Sequence, residues 1–242
     1  MNKLILVFLF IFASIQSIFA QSAEEYFEKG KYMFEIGKNE EAVKFYTKAI
    51  DADSKYVEAY IGRGTVYMFS LNQTSAIKDF TKAIELAPEV DSLYVLRANA
   101  EVSGGKYDAA KDDFEKAISL NSNSTFAFIG LGTMYDAIDR PEKSLENFNK
   151  ALQIDPVNKL AFNGRALLYR RNNNMPLAIE DYSMVIKLDP MHAFAYSGRA
   201  ICYFETGEYQ KAIDDWDMLI NLSPSMKQVV KAKYDEAKNK LK

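Results

Sequence analysis

The chain of 242 residues has a single cysteine, a single histidine and a single tryptophan. One cysteine, Cys202, excludes an intramolecular disulfide and any paired-thiol metal or redox centre. One histidine, His192, removes the usual zinc sets and most histidine-based triads. A basic excess is also missing: 30 Lys and Arg stand against 33 Asp and Glu, giving a net charge of −3 and a pI of about 5.4, which argues against nucleic acid as a partner. There is no phosphate-binding loop, no HExxH and no nucleophile set beside a base. The glycine pairs in "IGRG" (61 to 64) and "IGLG" (129 to 132) lack the preceding strand that a dinucleotide site needs. The acidic doublets Asp112-Asp113 and Asp214-Asp215 are better explained by solvation and by arginine partners than by a metal. No catalytic residue, cofactor or metal is therefore expected.

Long apolar runs are scarce too, with one exception at the start. Lys3 precedes "LILVFLFIFASI" (4 to 15), and Ala20 offers a small residue before Gln21, so residues 1–20 read as a secretory signal peptide. The alternative is an uncleaved anchor, but the run is shorter than the roughly 20 residues that span a bilayer. No cysteine near Ala20 would carry a lipid. The expectation is an exported protein, periplasmic first and secreted second, held together by packing without disulfides. Asn72, Asn123 and Asn221 head N-x-S/T sequons, which matter only in a eukaryotic source.

What the sequence does have is a period. "FYTKAIDADS", "DFTKAIELAP", "DFEKAISLNS", "NFNKALQIDP", "DYSMVIKLDP" and "DWDMLINLSP" begin at 45, 79, 113, 147, 181 and 215, a spacing of 34 each time. The repeats are set as 23–56, 57–90, 91–124, 125–158, 159–192 and 193–226. A fixed period of this length signals a helical solenoid. Position 4 of each repeat is aromatic (Tyr26, Tyr60, Tyr94, Phe128, Phe162, Tyr196) and position 8 is small (Gly30, Gly64, Ala98, Gly132, Ala166, Ala200). Position 20 is Ala42, Ala76, Ala110, Ser144, Ala178 and Ala212, and position 24 is again aromatic (Tyr46, Phe80, Phe114, Phe148, Tyr182, Trp216). Position 27 is Ala49, Ala83, Ala117, Ala151, Val185 and Leu219. Helical spacing thus occurs twice per repeat, and a small residue at position 8 lets the second helix approach closely while the aromatics fill the gaps beside it. Gly37, Gly104-Gly105, Asn172-Asn173-Asn174 and Gly207 interrupt the pattern between the two helices; Pro88, Pro156, Pro190 and Pro224 stop the second one.

Together with Tyr67, Tyr135, Tyr169 and Tyr203 at position 11, these residues make the chain resemble the tetratricopeptide repeat family over residues 23–226. The departures are Met33 and Glu101 at position 11, Ser54 at position 32 and Ser144 at position 20. The resemblance implies an all-α, right-handed superhelical solenoid of antiparallel helix pairs. A last hairpin needs a lid, and residues 227–242 read as that capping helix, with Val230, Tyr234, Ala237 and Leu241 on its apolar stripe and lysines outside.

The repeats can also be compared with one another. Position 7 is arginine in repeats 2, 3, 5 and 6 (Arg63, Arg97, Arg165, Arg199), and position 23 is aspartate in the same four (Asp79, Asp113, Asp181, Asp215). Repeats 1 and 4 lack both members, carrying Lys29 with Phe45 and Leu131 with Asn147. This covariation predicts a structural ion pair between the helices of one hairpin.

In arrays of the resembled family, positions 2, 5, 9 and 12 of the first helices line a concave groove. By that resemblance the groove holds Phe27, Phe34, Ile61, Met68, Val95, Val102, Phe126, Ile129, Leu160, Leu167, Phe194, Ile201 and Phe204, with Lys31, Thr65, Asn99, Thr133, Asn163 and Arg170 as polar members. So apolar a surface points to binding a peptide or helix of another protein; the alternative is that curvature half-buries these positions. The family's clamp for a terminal carboxylate is absent, since Phe27, Lys31, Gly62, Ser92 and Leu96 occupy its positions. The expected function is a non-enzymatic adaptor outside the cytoplasm, binding no nucleic acid and not inserted in a membrane after signal cleavage, with homo-oligomeric self-assembly as the alternative.

Overall fold

A computed structural model describes residues 22–242, so the expected signal peptide lies outside the described residues. Thirteen α-helices and no strands occur among them. The chain divides into two compact units, Met1–Lys106 and Tyr107–Lys242. The first contains α1 (Ala23–Glu35), α2 (Asn39–Ala52), α3 (Val57–Phe69), α4 (Gln73–Leu86) and α5 (Asp91–Ser103). The second contains α6 (Tyr107–Leu120), α7 (Thr125–Ala137), α8 (Pro141–Ile154), α9 (Lys159–Arg171), α10 (Met175–Leu188), α11 (Ala193–Glu205), α12 (Tyr209–Leu222) and α13 (Met226–Lys240). Within each unit, consecutive helices pack as hairpins and each hairpin packs on the next.

Local chemistry sets the helix ends. Asn72, Asn158 and Asn174 cap α4, α9 and α10 by accepting backbone N–H bonds from Ser75, Ala161 and Leu177. The lone histidine has the same duty: His192 Nδ1 accepts from the Ala195 N–H at 3.2 Å and caps α11. Second helices end at Leu86, Ile154, Leu188 and Leu222, two residues before each proline.

The turn after the first helix of every repeat passes through the left-handed region at position 15, occupied by Gly37, Leu71, Gly105, Asp139, Asn173 and Gly207. Glycine adopts this conformation freely, and asparagine and aspartate tolerate it; leucine does not. Leu71 has φ 56° and its side chain is 79% exposed, so no packing compensates. Leu71→Gly is therefore expected to raise stability by about 0.5–1 kcal/mol, the relief of strain exceeding the added freedom of the unfolded chain. Urea unfolding of the two proteins checks this, and an unchanged or lower midpoint would reject it.

The core follows the period. Alanines at position 20 are fully buried, and Ser144, which replaces one of them, donates its hydroxyl to the Gly132 carbonyl at 2.8 Å. That bond lets a polar side chain sit where the other repeats have a methyl. At the C-terminal end Val230 and Ala237 of α13 are buried against α12, and Tyr234 packs its ring 6.3 Å from that of Trp216 while its hydroxyl donates to Asp217. Leu241 was expected on the same stripe, but α13 ends at Lys240 and Leu241 is exposed.

Candidate functional site

Two residue sets bear on function: the arginines that tie the hairpins together, and the open face of the first helices. Arg63 donates from Nε and Nη2 to the two carboxylate oxygens of Asp79, both at 2.8 Å. Arg165 does the same to Asp181 at 2.7 and 2.8 Å, and Arg199 to Asp215 at 2.8 and 2.8 Å. Each aspartate is buried, and the hydrogen-bonded carboxylate raises the guanidinium pKa against the lowering effect of burial. The position-4 ring of the same helix lies under each guanidinium, with centroids 5.7–5.9 Å away. The fourth predicted pair has one member in each compact unit, Arg97 in the first and Asp113 in the second, and remains an expectation.

The covariation did not reveal a third arm. Arg63 Nη1 donates to Thr47 Oγ1 at 3.0 Å, Arg97 Nη1 to Thr81 Oγ1 at 3.2 Å, Arg165 Nη1 to Asn149 Oδ1 at 2.6 Å and Arg199 Nη1 to Ser183 Oγ at 2.9 Å. All four acceptors stand at position 25 of the preceding repeat. One arginine therefore joins its own hairpin to its neighbour. A polar residue recurring at position 25 was the available signal.

On the first-helix face of the first compact unit, the expected groove residues mostly serve packing. Phe27 lies 5.6 Å from the Tyr46 ring and 5.4 Å from Tyr56; Phe34 lies 5.3 Å from Phe69, and Met68 packs on the cluster around Phe80. Val95, expected to face a guest, is only 6% exposed and offers it no surface. Ile61, Thr65, Asn99 and Val102 are half-buried, and Lys31 is exposed.

In the second compact unit the first helices α7, α9 and α11 lie side by side, and their face is more open. Phe126 is 60% exposed and Phe194 78%, with Leu160 and Leu167 also exposed. Phe126, Leu160 and Phe194 all stand at position 2, so they form a row along successive repeats. Ile129, Asn163, Arg170 and Ile201 are half-buried beside it, and Thr133 is exposed. Phe204 turns inward, 5.9 Å from the Trp216 ring. Val157 and Met191, both exposed at position 33, extend the apolar surface into the loops before α9 and α11; they are apolar where Glu89 and Asn123 stand in other repeats, a contrast the sequence offered.

The floor of this face rests on a second glycine column, at position 6. A Cβ on Gly130 would lie 2.3 Å from the Phe114 ring, on Gly164 2.5 Å from Phe148 and on Gly198 2.4 Å from Tyr182. Each ring thus reaches between its own hairpin and the next first helix. Gly62, Gly130, Gly164 and Gly198 recur at position 6, a signal in the sequence beside that of the small residues at position 8.

Cys202 is fully buried, and burial pushes its thiol up to about 11, so at neutral pH it is a neutral packing group. Among the described residues no three His, Cys, Asp or Glu side chains converge as a metal site, and no helix is long and apolar enough to cross a membrane.

No curated protein matches the chain. Among solved structures, the chain is similar to a tetratricopeptide repeat protein from Parabacteroides merdae, at 21% identity and a TM-score of 0.74 over 89% of this chain and 84% of that one. The anaphase-promoting-complex hetero-tetramer Cut9–Hcn1 gives 17% identity and a TM-score of 0.75 over 89% of this chain, which spans only 43% of that one. YrrB, described as a tetratricopeptide repeat protein with an unusual peptide-binding site, gives 25% identity and a TM-score of 0.51 over 76% of this chain and 95% of that one. Models of the tetratricopeptide repeat match residues 23–56, 57–90, 91–124, 129–190 and 163–224. With these matches over most of its length and helical hairpins within both compact units, the chain belongs to the tetratricopeptide repeat family.

Proposed function

We propose that this protein–protein interaction scaffold works outside the cytoplasm and receives a peptide or helix of another protein on the first-helix face of its second compact unit. The observation that carries the reading is the exposed apolar row of Phe126, Leu160 and Phe194, flanked by Leu167. Side chains of this size held open to water across three successive repeats serve packing poorly and anchor a guest well. The peptide-binding site described for YrrB supports the same use of the fold. The extracytoplasmic location rests on the leader-like residues 1–20, and the mature chain would work there without disulfides.

A crosslinking pull-down from the cell envelope tests the reading. Phe126→Asp combined with Phe194→Asp is expected to remove the captured partner, an affinity loss of roughly tenfold or more, while leaving the circular dichroism spectrum unchanged because both side chains are exposed. If the same partners are captured by the double variant, this face is not the binding surface. Light scattering across a concentration range separates the alternative of self-assembly: a protein that stays monomeric leaves only a heterologous partner, whereas a dimer lost in the double variant would assign the same face to a second copy.

A further inference from the structure

Each first helix turns a second recurring face toward the hairpin before it. At position 10, Val66 packs with Ala42 and Tyr46, Ala100 with Ala76 and Phe80, and Cys202 with Ala178 and Tyr182. Position 3 is a fully buried alanine in Ala59, Ala127, Ala161 and Ala195, and position 6 is the glycine that meets a ring of the preceding second helix. In repeat 1 these three positions hold Glu25, Glu28 and Tyr32, and all are exposed. Glu35 and Ile36 continue the same stripe at helical spacing, with Lys29 beside it. The open face of α1 thus combines three carboxylates with a tyrosine 57% exposed and an isoleucine 48% exposed.

α13 offers the converse. It buries Val230 and Ala237 against α12, while Lys227, Lys231, Lys238 and Lys242, spaced i, i+4, i+11 and i+15, share another side that is open to water. Residues 226–242 hold six lysines against Asp235 and Glu236, in a chain whose net charge is −3. Asp235 pairs with Lys231, but no carboxylate pairs with Lys227, Lys238 or Lys242 among the described residues. The helix dipole explains only part of this pattern. Glu24 and Glu25 in the first turn of α1, and Lys238 and Lys240 in the last turn of α13, suit it. Glu28 and Glu35 lie beyond that first turn, and Lys227 stands in the first turn of α13, against the dipole. Solvation accounts for the charges, not for Tyr32 and Ile36 among them.

We propose that the acidic face of α1 in one copy of the protein docks on the lysine face of α13 in a second copy. Glu25, Glu28 and Glu35 then meet the lysine stripe, and Tyr32 and Ile36 pack on the methylene stems of the same lysines. Charge also fixes which faces join, because α1 against α1, or α13 against α13, would bring like charges together. A contact between unlike faces adds copies in series or closes them into a ring. One helix on each side makes a small interface, so the association is weak and reversible. It uses neither the exposed row of Phe126, Leu160 and Phe194 nor a guest, and stands or falls separately from that reading.

Sedimentation of the purified protein at concentrations up to about 1 mM tests the contact. The average mass is expected to rise with concentration at roughly 0.01 M salt and to return to that of a monomer at roughly 1 M, as the screening length falls from about 30 Å to about 3 Å. Glu28→Lys with Glu35→Lys should abolish the rise, and so should Lys227→Glu with Lys231→Glu in a separate protein. Neither change opposes folding, since lysine suits the last turn of α1 and glutamate the first turn of α13. Mixed in equal amounts, the two reversed proteins should associate again, because a basic α1 then meets an acidic α13; recovery excludes misfolding as the cause of the loss. Phe126→Asp with Phe194→Asp should leave the rise unchanged, which separates this contact from self-assembly through the exposed row. A protein that stays monomeric up to about 1 mM, an assembly indifferent to salt or lost in the Phe126→Asp, Phe194→Asp variant, or reversed proteins that fail to associate when mixed would overturn the proposal.

Discussion

Replacing Arg165 with leucine is expected to destabilise the protein by roughly 3–5 kcal/mol, the penalty of stranding a buried carboxylate. The Asp181 side chain is 4% exposed and receives two hydrogen bonds from this one guanidinium, whose own side chain is 20% exposed. Without Arg165 the carboxylate must bind a proton, admit water or move, and each alternative costs stability. The leucine also forfeits the bond to Asn149 and the stacking on Phe162 and Tyr169. Adding Asp181→Asn to Arg165→Leu should recover most of the loss, because the protein already uses that solution: repeat 4 pairs Leu131 with Asn147, whose amide donates to the Lys143 carbonyl at 2.8 Å. Asp181→Asn alone should cost less than Arg165→Leu, since a partly exposed guanidinium can still be hydrated. Urea unfolding, with hydrogen exchange on α9 and α10 to localise the effect, measures all three variants. A loss below about 1 kcal/mol for Arg165→Leu would place the pair with surface bridges, and failure of the double variant to recover would show that the repeat-4 arrangement does not transfer.

The hairpin array was legible in the sequence because its cause is local and recurs. Small residues at positions 8 and 20 and aromatics at 4 and 24 state the same packing six times, so one ambiguous residue such as Ser144 cannot obscure it. The covarying arginine and aspartate were legible for the same reason. What stayed hidden depends on the relation between repeats. The bond from each arginine back to position 25 crosses from one hairpin to the next, and a covariation sought within hairpins does not see it. The groove list failed selectively: Phe27, Phe34 and Phe204 occupy positions that face outward in a register diagram, yet aromatic neighbours draw them into packing. Phe126 and Phe194 remain open.

Phe148→Ala is expected to cost roughly 3–5 kcal/mol, as much as any single core truncation in this chain. Its ring is buried between two glycines, where a Cβ on Gly132 would lie 2.9 Å away and one on Gly164 2.5 Å away. The ring thus fills both the interior of repeat 4 and the junction with repeat 5, and neither glycine has a side chain that could move into the vacated space. In an array whose stability is a sum of repeat and junction energies, both contributions fall together, so hydrogen-exchange protection should fall first in α8 and α9. A second change separates this account from a general loss of packing. Gly132→Ala in the native protein pushes a methyl against the Phe148 ring, and the expected clash opposes the gain of about 1 kcal/mol from helix propensity. In the Phe148→Ala background the clash is gone and the methyl refills part of the cavity, so the same Gly132→Ala substitution should be clearly stabilising. A loss below about 1 kcal/mol for Phe148→Ala, or a Gly132→Ala effect of the same size in both backgrounds, would mean that the ring is not the element that joins these repeats.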